Sequence, residues 1–470
     1  MPADIRGEER RRAKLATLDE LARAKPAFAE KIALVAKRAA EKAALAAVER
    51  RLTCEKLLAA DGKHAAGAYD DAMRLAVRTF QQKHMIYEAS FLRRRTIDAL
   101  ARSPLDGDYD SFVRALRERV VAAASIIEDD TAGSEKTPAQ DLVDEYTQAT
   151  LEQLGLHDAA STLAFLQRHG PEQLRTLRAA IKLPPRPSYY AAHMDLSIEI
   201  DRGEVWYELP FDAQGNFRQH GRTRYPTLTL YVTSQGEKVR LARWRTTIGG
   251  WRAEQASDGY EYYRYKMSDV GPRVIRQVIS GPVWIAPSST PIRSLVKAKS
   301  VNGHGMKIVN YDELGPGYLS AYGLVAGYFV TPGKNGRPDN DAGIRAHGSS
   351  DYLSLYSASG FSHGCNRLLN HLAIRLYSFL LSHRDKTVLG DQPVNFTRQF
   401  LADDMVYEIK IPSRGYAYVL DPPVPVNVLP GDIKGTQKQP IIGYVPKPNT
   451  VYPGPPPPAP DSPESKAGGE

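Results

Sequence analysis

His347, His363 and Cys365 fall within residues 345–367, and Cys365 is one of two cysteines in a chain of 470 residues. A thiol becomes a nucleophile when a base takes its proton, and histidine serves well as that base. Gly364, beside the thiol, lets the backbone come close to a reacting carbonyl. On these residues alone three uses compete. In the first, Cys365 attacks a carbonyl, His347 or His363 is its base, and backbone N–H groups around Gly364 and Cys365 form an oxyanion hole. In the second, His347, His363 and Cys365 bind zinc with a fourth ligand such as His371. The His363-Gly364-Cys365 spacing is tighter than the usual paired-ligand spacings, which counts against zinc. In the third, Cys365 is a buried core thiol and the histidines are turn residues, the default for an isolated cysteine near histidine.

Either kind of chemistry needs a rigid frame, and the chain changes character ahead of the site. After Pro184-Pro-Arg-Pro, a linker signature, composition shifts from Ala, Leu and Arg to Tyr, Thr, Val, Trp and Gly. All 4 tryptophans, Trp206, Trp244, Trp251 and Trp284, follow it. Thr227-Leu-Thr-Leu-Tyr-Val-Thr predicts a strand, Ser234-Gln-Gly-Glu a turn, and 239–248 a second strand ended by Gly249-Gly250. Val283-Trp-Ile-Ala-Pro predicts another short strand, and Val406-Tyr-Glu-Ile-Lys-Ile alternates as a further one. Short strands with Gly/Pro turns predict a mostly β domain. The tyrosine-rich segment 258–265 fits either a strand with an aromatic face or a substrate-lining loop. Residues 371–382 predict a helix with Leu372, Leu376, Phe379 and Leu380 inward and Asn370 as N-cap.

The first part of the chain is helical in pattern. Residues 8–58 predict helices broken near Pro26. Residues 49–102 predict helix, loop, helix, loop, helix, with Met73, Ala76, Val77 and Phe80 forming an apolar stripe. Cys54 occupies an apolar helical position and is expected to be buried and inert. Helices are expected over 112–127 and 140–154, with a loop from Glu128 between them and His157 and His169 as loop or cap residues. From about Val445 the chain is Pro-rich, the pattern of polyproline II or disorder.

Composition narrows the partners. A net charge of +8 and a pI near 9.1 fit an anionic neighbour or plain solubility. No dense basic run exists beyond residues 10–12 and 93–95, and no aromatic-basic repeat, so nucleic acid is not expected. Two cysteines exclude a disulfide-stapled scaffold and a Cys-rich zinc module. No stretch reaches the roughly 18 apolar residues of a spanning helix. The N-terminus lacks the apolar core of a signal peptide, which read literally means cytoplasm, although a processed chain would look the same.

His347, then fourteen residues, then Ser362-His363-Gly364-Cys365-Asn366-Arg367 closely resembles the signature of L,D-transpeptidases of the YkuD type. Thr246-Thr-Ile-Gly-Gly, Val283-Trp-Ile-Ala-Pro and the Leu-Tyr helix after the cysteine are similar to further pieces of that family. Asn366 stands where the family usually has an apolar residue. Residues 49–102 resemble the three-helix peptidoglycan-binding module, through Gly67-Ala-Tyr-Asp, Ala76-Val77 with Phe80-Gln81, and Thr96-Ile97 with Ala99-Leu100.

Pattern and resemblance together predict a multidomain α+β protein: a helical arm over 1–48, the wall-binding-like module over 49–102, further helices over 103–183, a linker with first strands over 184–224, a mostly β catalytic domain over 225–415, and an extended Pro-rich tail over 416–470. The resemblance implies that Cys365 attacks a stem-peptide carbonyl of peptidoglycan. His347 would be the base, oriented by a backbone carbonyl such as that of Gly348. The amides of His363, Gly364 and Cys365 would form the oxyanion hole. Arg367 would hold a substrate carboxylate or brace the loop, as a planar bidentate donor can. Ser362 would hydrogen-bond within the loop. No cofactor or metal is implied. The products would be 3→3 cross-links if an amine resolves the thioester and trimmed stems or released wall-attached proteins if water does, while an idle wall-binding protein is a third reading. The implied place is the periplasm or the cell wall.

Overall fold

The computed structural model describes residues 3–447 except 60–63, 89, 130–140, 213, 217, 219, 302–303, 336, 357–361, 436–440 and 442. The Pro-rich segment from 448 onward therefore lies outside the described residues. The chain divides into two units, Met1–Val113 with Leu156–Arg175, and Arg114–Gly155 with Thr176–Glu470. Their make-up is mixed: a helical region comes first, and a large, mostly β unit follows.

The first unit contains α1 (Ala3–Arg12), α2 (Leu18–Ala24), α3 (Pro26–Cys54), α4 (Asp71–Lys83) and α5 (Arg94–Ala101). Then α6 (Pro104–Ala124) runs into the second unit, α7 (Leu142–Leu154) lies in that unit, and α8 (Ala159–Thr176) returns. The break at Pro26 is as expected: α2 is opened by a Thr17/Glu20 capping box and ends at Lys25, and Pro26 opens α3, where its missing N–H costs nothing. Asp70 caps α4 by accepting the Met73 N–H at 2.9 Å. Met73, Ala76, Val77 and Phe80 are buried together with Leu52, Leu58 and Ile86. Gln81, also buried, donates to Thr96 at 2.8 Å and to the Phe91 carbonyl at 2.9 Å, tying α4 to α5 and the loop before it. Two expectations fail here. The arm and the module are not divided at residue 48, because α3 runs through that point. Cys54 is exposed, since α3 ends at it and its apolar face is used by Leu52 instead.

The second unit is organised on a nine-stranded sheet of the order β12 (Asn366–Leu369), β11 (Arg345–Ser349), β10 (Val325–Val330), β7 (Gly271–Ser280), β14 (Met405–Val428), β1 (Asp195–Asp201), β3 (Thr227–Ser234), β4 (Glu237–Arg245), with β13 (Asp385–Ala402) paired to β14. The chain enters it through β1 (Asp195–Asp201), whose Leu196, Ile198 and Ile200 alternate inward. A short β2 (Glu204–Trp206) precedes the hairpin of β3 (Thr227–Ser234) and β4 (Glu237–Arg245), turned at Gln235-Gly236 as expected. Gly249-Gly250 does not end a strand but starts one, β5 (Gly249–Gln255), paired with β6 (Glu261–Met267). The tyrosine-rich segment is thus largely strand. Next come β7 (Gly271–Ser280), α9 (Ile292–Leu295), the hairpin of β8 (Val296–Val301) and β9 (His304–Val309), α10 (Tyr311–Leu314) and β10 (Val325–Val330). Residues 283–287 are irregular rather than a strand, because the Trp284 N–H bonds to the Leu314 carbonyl at 2.9 Å instead of to a ladder partner.

The remaining elements are β11 (Arg345–Ser349), α11 (Tyr352–Tyr356), β12 (Asn366–Leu369), α12 (Asn370–Ser382), β13 (Asp385–Ala402), β14 (Met405–Val428), β15 (Asp432–Lys434) and β16 (Tyr444–Pro446). Leu372, Leu376, Phe379 and Leu380 of α12 are buried as expected. Asn370 does not cap its helix; it accepts the Leu324 N–H and donates to the Tyr318 carbonyl, each at 3.0 Å.

The expected division of the chain at 184, 225 and 416 needs correction. Residues 114–155 belong with the sheet, where Asp129 bonds to Leu241 and Arg243 along the edge of β4. The sheet begins at β1, before 225. It also extends past 416: β14 pairs with β7 at Val428↔Gly271 and with β1 at Ile198↔Val426, so this chain is a central strand and not tail. Its alternating Val424, Val426 and Val428 are buried, which supplies the apolar face a central strand needs.

Candidate active site

Strands β11 and β12 run parallel, with His347 opposite Arg367 and Ala346 opposite Asn366. Side chains two residues apart on a strand share a face. Cys365, one residue ahead of β12, therefore shares a face with Arg367, next to His347 on the adjoining strand. His347, His363, Cys365, Arg367 and Ser362 line one cavity of about 530 Å3. Its other walls come from β6 (Arg264, Tyr265, Lys266), the irregular segment with Trp284, and Glu313 and Tyr322.

A dense set of bonds fixes the Cys365 loop from outside. The Thr247 hydroxyl donates to the Cys365 carbonyl at 2.8 Å and accepts the Arg367 N–H at 3.0 Å. Thr246 donates to the Arg367 carbonyl at 2.9 Å, Ser268 to the Gly364 carbonyl, and Arg252 to the Ser362 carbonyl at 3.0 Å. Asn366 is fully buried, and its amide donates to the Thr247 carbonyl at 2.8 Å. That bond gives the buried amide nitrogen a partner. Gly364 has φ +103°, and a Cβ there would meet the Met267 carbonyl oxygen at 2.6 Å. Only glycine fits.

The two histidines differ. His347 is 2 % exposed, and its Nδ1 lies 2.7 Å from the Gly348 carbonyl. Nδ1 thus carries the proton, and Nε2 is left as the basic nitrogen. Burial, then the Arg367 charge, pushes its pKa down to about 3, so the ring is neutral near pH 7. Tyr322 packs edge-on against it with ring centroids 4.9 Å apart. His363 opens to the cavity; its pKa is lowered by desolvation first and by Arg252 and Arg367 next. Burial raises the Cys365 thiol, opposed by the Arg345 backbone N–H and by the charges of Arg345 and Arg367. The thiol donates to the Gly343 carbonyl at 3.7 Å. The resting pair is accordingly a thiol and a neutral imidazole.

The other expected residues hold as follows. Ser362 is buried and accepts the Gly364 N–H at 3.3 Å, as expected within the loop. That same bond occupies the Gly364 amide, which corrects its place in an oxyanion hole; the His363 and Cys365 amides remain as candidates. Gly348 does not line the cavity; its part is its carbonyl, and a Cβ on it would fall 2.3 Å from Asn370 Oδ1. Arg367 lines the cavity, with Nη1 3.3 Å from Ser354 Oγ and 3.4 Å from Asp351 Oδ2. His371, which a zinc set would need, lies on α12 in a separate cavity with Glu118 and Arg375. Among the described residues no group of three His, Cys, Asp or Glu side chains is placed to hold a metal, and no helix is long and apolar enough to cross a membrane.

The sequence reading missed Thr247, Ser268, Arg252, Tyr322 and Glu313. Only Thr247 had a signal, as part of Thr246-Thr-Ile-Gly-Gly; the rest are brought in by pairings that spacing does not encode. No family model matches the chain, and no curated protein matches it.

Proposed function

We propose that the chain is a cysteine acyltransferase of the L,D-transpeptidase type, with a YkuD-type fold in its β unit, acting on peptidoglycan stem peptides outside the cytoplasm. The observation that carries this reading is the His347 Nδ1 bond to the Gly348 carbonyl, with His347 and Cys365 lining one cavity. A base with a fixed tautomer sharing a cavity with a buried thiol, within the His347…Ser362-His363-Gly364-Cys365 string, supports acyl transfer.

His347 Nε2 takes the thiol proton as sulfur attacks the carbonyl before the terminal residue of the stem. The developing oxyanion is met by backbone amides of the Cys365 loop, in the field of Arg367 and Arg345. His347 returns the proton to the departing amine, leaving a thioester on Cys365. An amine of a second stem then takes the acyl group. The helical unit would serve to dock on the wall.

Incubation with purified disaccharide-tetrapeptide, analysed by mass, tests the reading. A dimer lacking one terminal residue supports it, with a carbapenem adduct on Cys365 as a second readout. A tripeptide product would make the enzyme a hydrolase. No turnover, no adduct and wall pull-down alone would leave an idle wall-binding protein.

A further inference from the structure

Three carboxylates line the cavity: Glu254, Asp269 and Glu313. Glu254 is ion-paired with Lys266, and Asp269 faces Arg273 at 3.7 Å. Glu313 forms no ion pair among the described residues, although the Arg367 charge acts on it; its side chain accepts from Asn310 Nδ2 at 3.2 Å. It is also firmly placed. It sits on α10 beside the fully buried Leu314, whose carbonyl holds the Trp284 N–H. The Glu313 carbonyl accepts the Ala321 N–H at 2.9 Å, and the next residue, Tyr322, packs on the His347 ring. Glu313 therefore belongs to the His347 side of the cavity. The wall there is otherwise cationic or neutral, through Arg367 and His363.

Resting on the reading above, we propose that Glu313 binds the ammonium group of the incoming acceptor, so that the acyl group on Cys365 passes to a cationic amine and not to water. A carboxylate in a partly desolvated cavity attracts an ammonium ion strongly because neither is fully screened. Burial raises the Glu313 pKa, which makes its carboxylate a better proton acceptor. The ammonium gives one proton to Glu313 and becomes a free amine. Its nitrogen attacks the thioester carbonyl, the C–N bond forms and the C–S bond breaks. The second proton moves through His347 Nε2 to the departing sulfur, which restores the thiol, and Glu313 releases its proton to solvent. The acceptor class is thus a stem peptide or other amine that is protonated at neutral pH.

The test uses the full-length chain and Glu313→Gln, with disaccharide-tetrapeptide as donor and acceptor, and hydroxylamine as an acceptor that is uncharged at neutral pH. Acyl-enzyme formation, followed by mass on Cys365, is expected to be unchanged. Dimer formation relative to hydrolysis is expected to fall roughly tenfold to a hundredfold, the worth of one hydrogen bond to a charged group, while capture by hydroxylamine persists. Glu313→Asp is expected to recover part of the dimer, and Asp312→Asn, on the neighbouring exposed position paired with Lys297, to behave as wild type. An unchanged dimer-to-hydrolysis ratio in Glu313→Gln, with acyl-enzyme still forming, overturns the proposal for Glu313 alone. Equal loss with both acceptors overturns it too, by making Glu313 structural. Failure of the wild-type chain to form any acyl-enzyme overturns the underlying reading instead.

Discussion

The Thr247 hydroxyl donates to the Cys365 carbonyl at 2.8 Å while accepting the Arg367 N–H at 3.0 Å. One side chain thereby holds the backbone on both sides of Asn366. Thr247→Val keeps the shape and strands both backbone groups in a dry site. The expected cost is about 1–3 kcal/mol of stability, with slower carbapenem acylation of Cys365, and Thr247→Ser recovers both. Urea unfolding together with acylation rates measures this, and wild-type values for the valine variant would refute it.

His347 and His363 separate by their surroundings. His347→Gln is expected to slow acylation roughly 100-fold to 10,000-fold, the range for loss of a general base. His363→Gln, at the open rim, is expected to lose less than tenfold. The reverse order would make His363 the base. In both variants alkylation of Cys365 by iodoacetamide should keep rising above the pH at which an ordinary cysteine levels off, because burial raises the thiol.

Acid should weaken the β unit. The folded pKa of His347 is about 3, and that of an unfolded histidine is about 6.5. Between those values the unfolded chain binds more protons than the folded one. Stability is therefore whole above about pH 6.5 and falls as pH drops toward 3, by up to about 1.4 kcal/mol per unit from this residue. Replacing His347 by Gln flattens that slope, and unfolding curves between pH 4 and pH 7 would reveal it.

Arg375 is buried between Asp129 and Glu118, linking α12 to α6 and to the segment along β4. Arg375→Ala leaves buried Asp129 without its main partner and should cost about 3–5 kcal/mol. Arg375→Met combined with Asp129→Asn removes the charges together and should cost less than the alanine change. Chemical denaturation of the single and double variants decides the point.

The helical stripe of α4, the inward face of α12 and the β3–β4 turn were legible because each is a local period or a local turn chemistry. The Gly348 carbonyl beside His347 was legible through family resemblance. What escaped was non-local. Residues 283–287 have strand composition, but Trp284 bonds to Leu314. The chain past 416 carries prolines, yet Val424, Val426 and Val428 place it in the sheet. Asn370 has the composition of a cap and bonds to Leu324 and Tyr318 instead. In each case a partner distant in sequence outweighed the local preference.

β14 joins β7 to β1, and its last residues pair with strands begun far upstream, as Val426 does with Ile198. During synthesis Cys365 and His347 leave the ribosome before the strand that closes their sheet exists. Pairings of such sequence separation form slowly. The thiol is thus chemically present before it is enclosed, and the site matures only after residue 428 has been added.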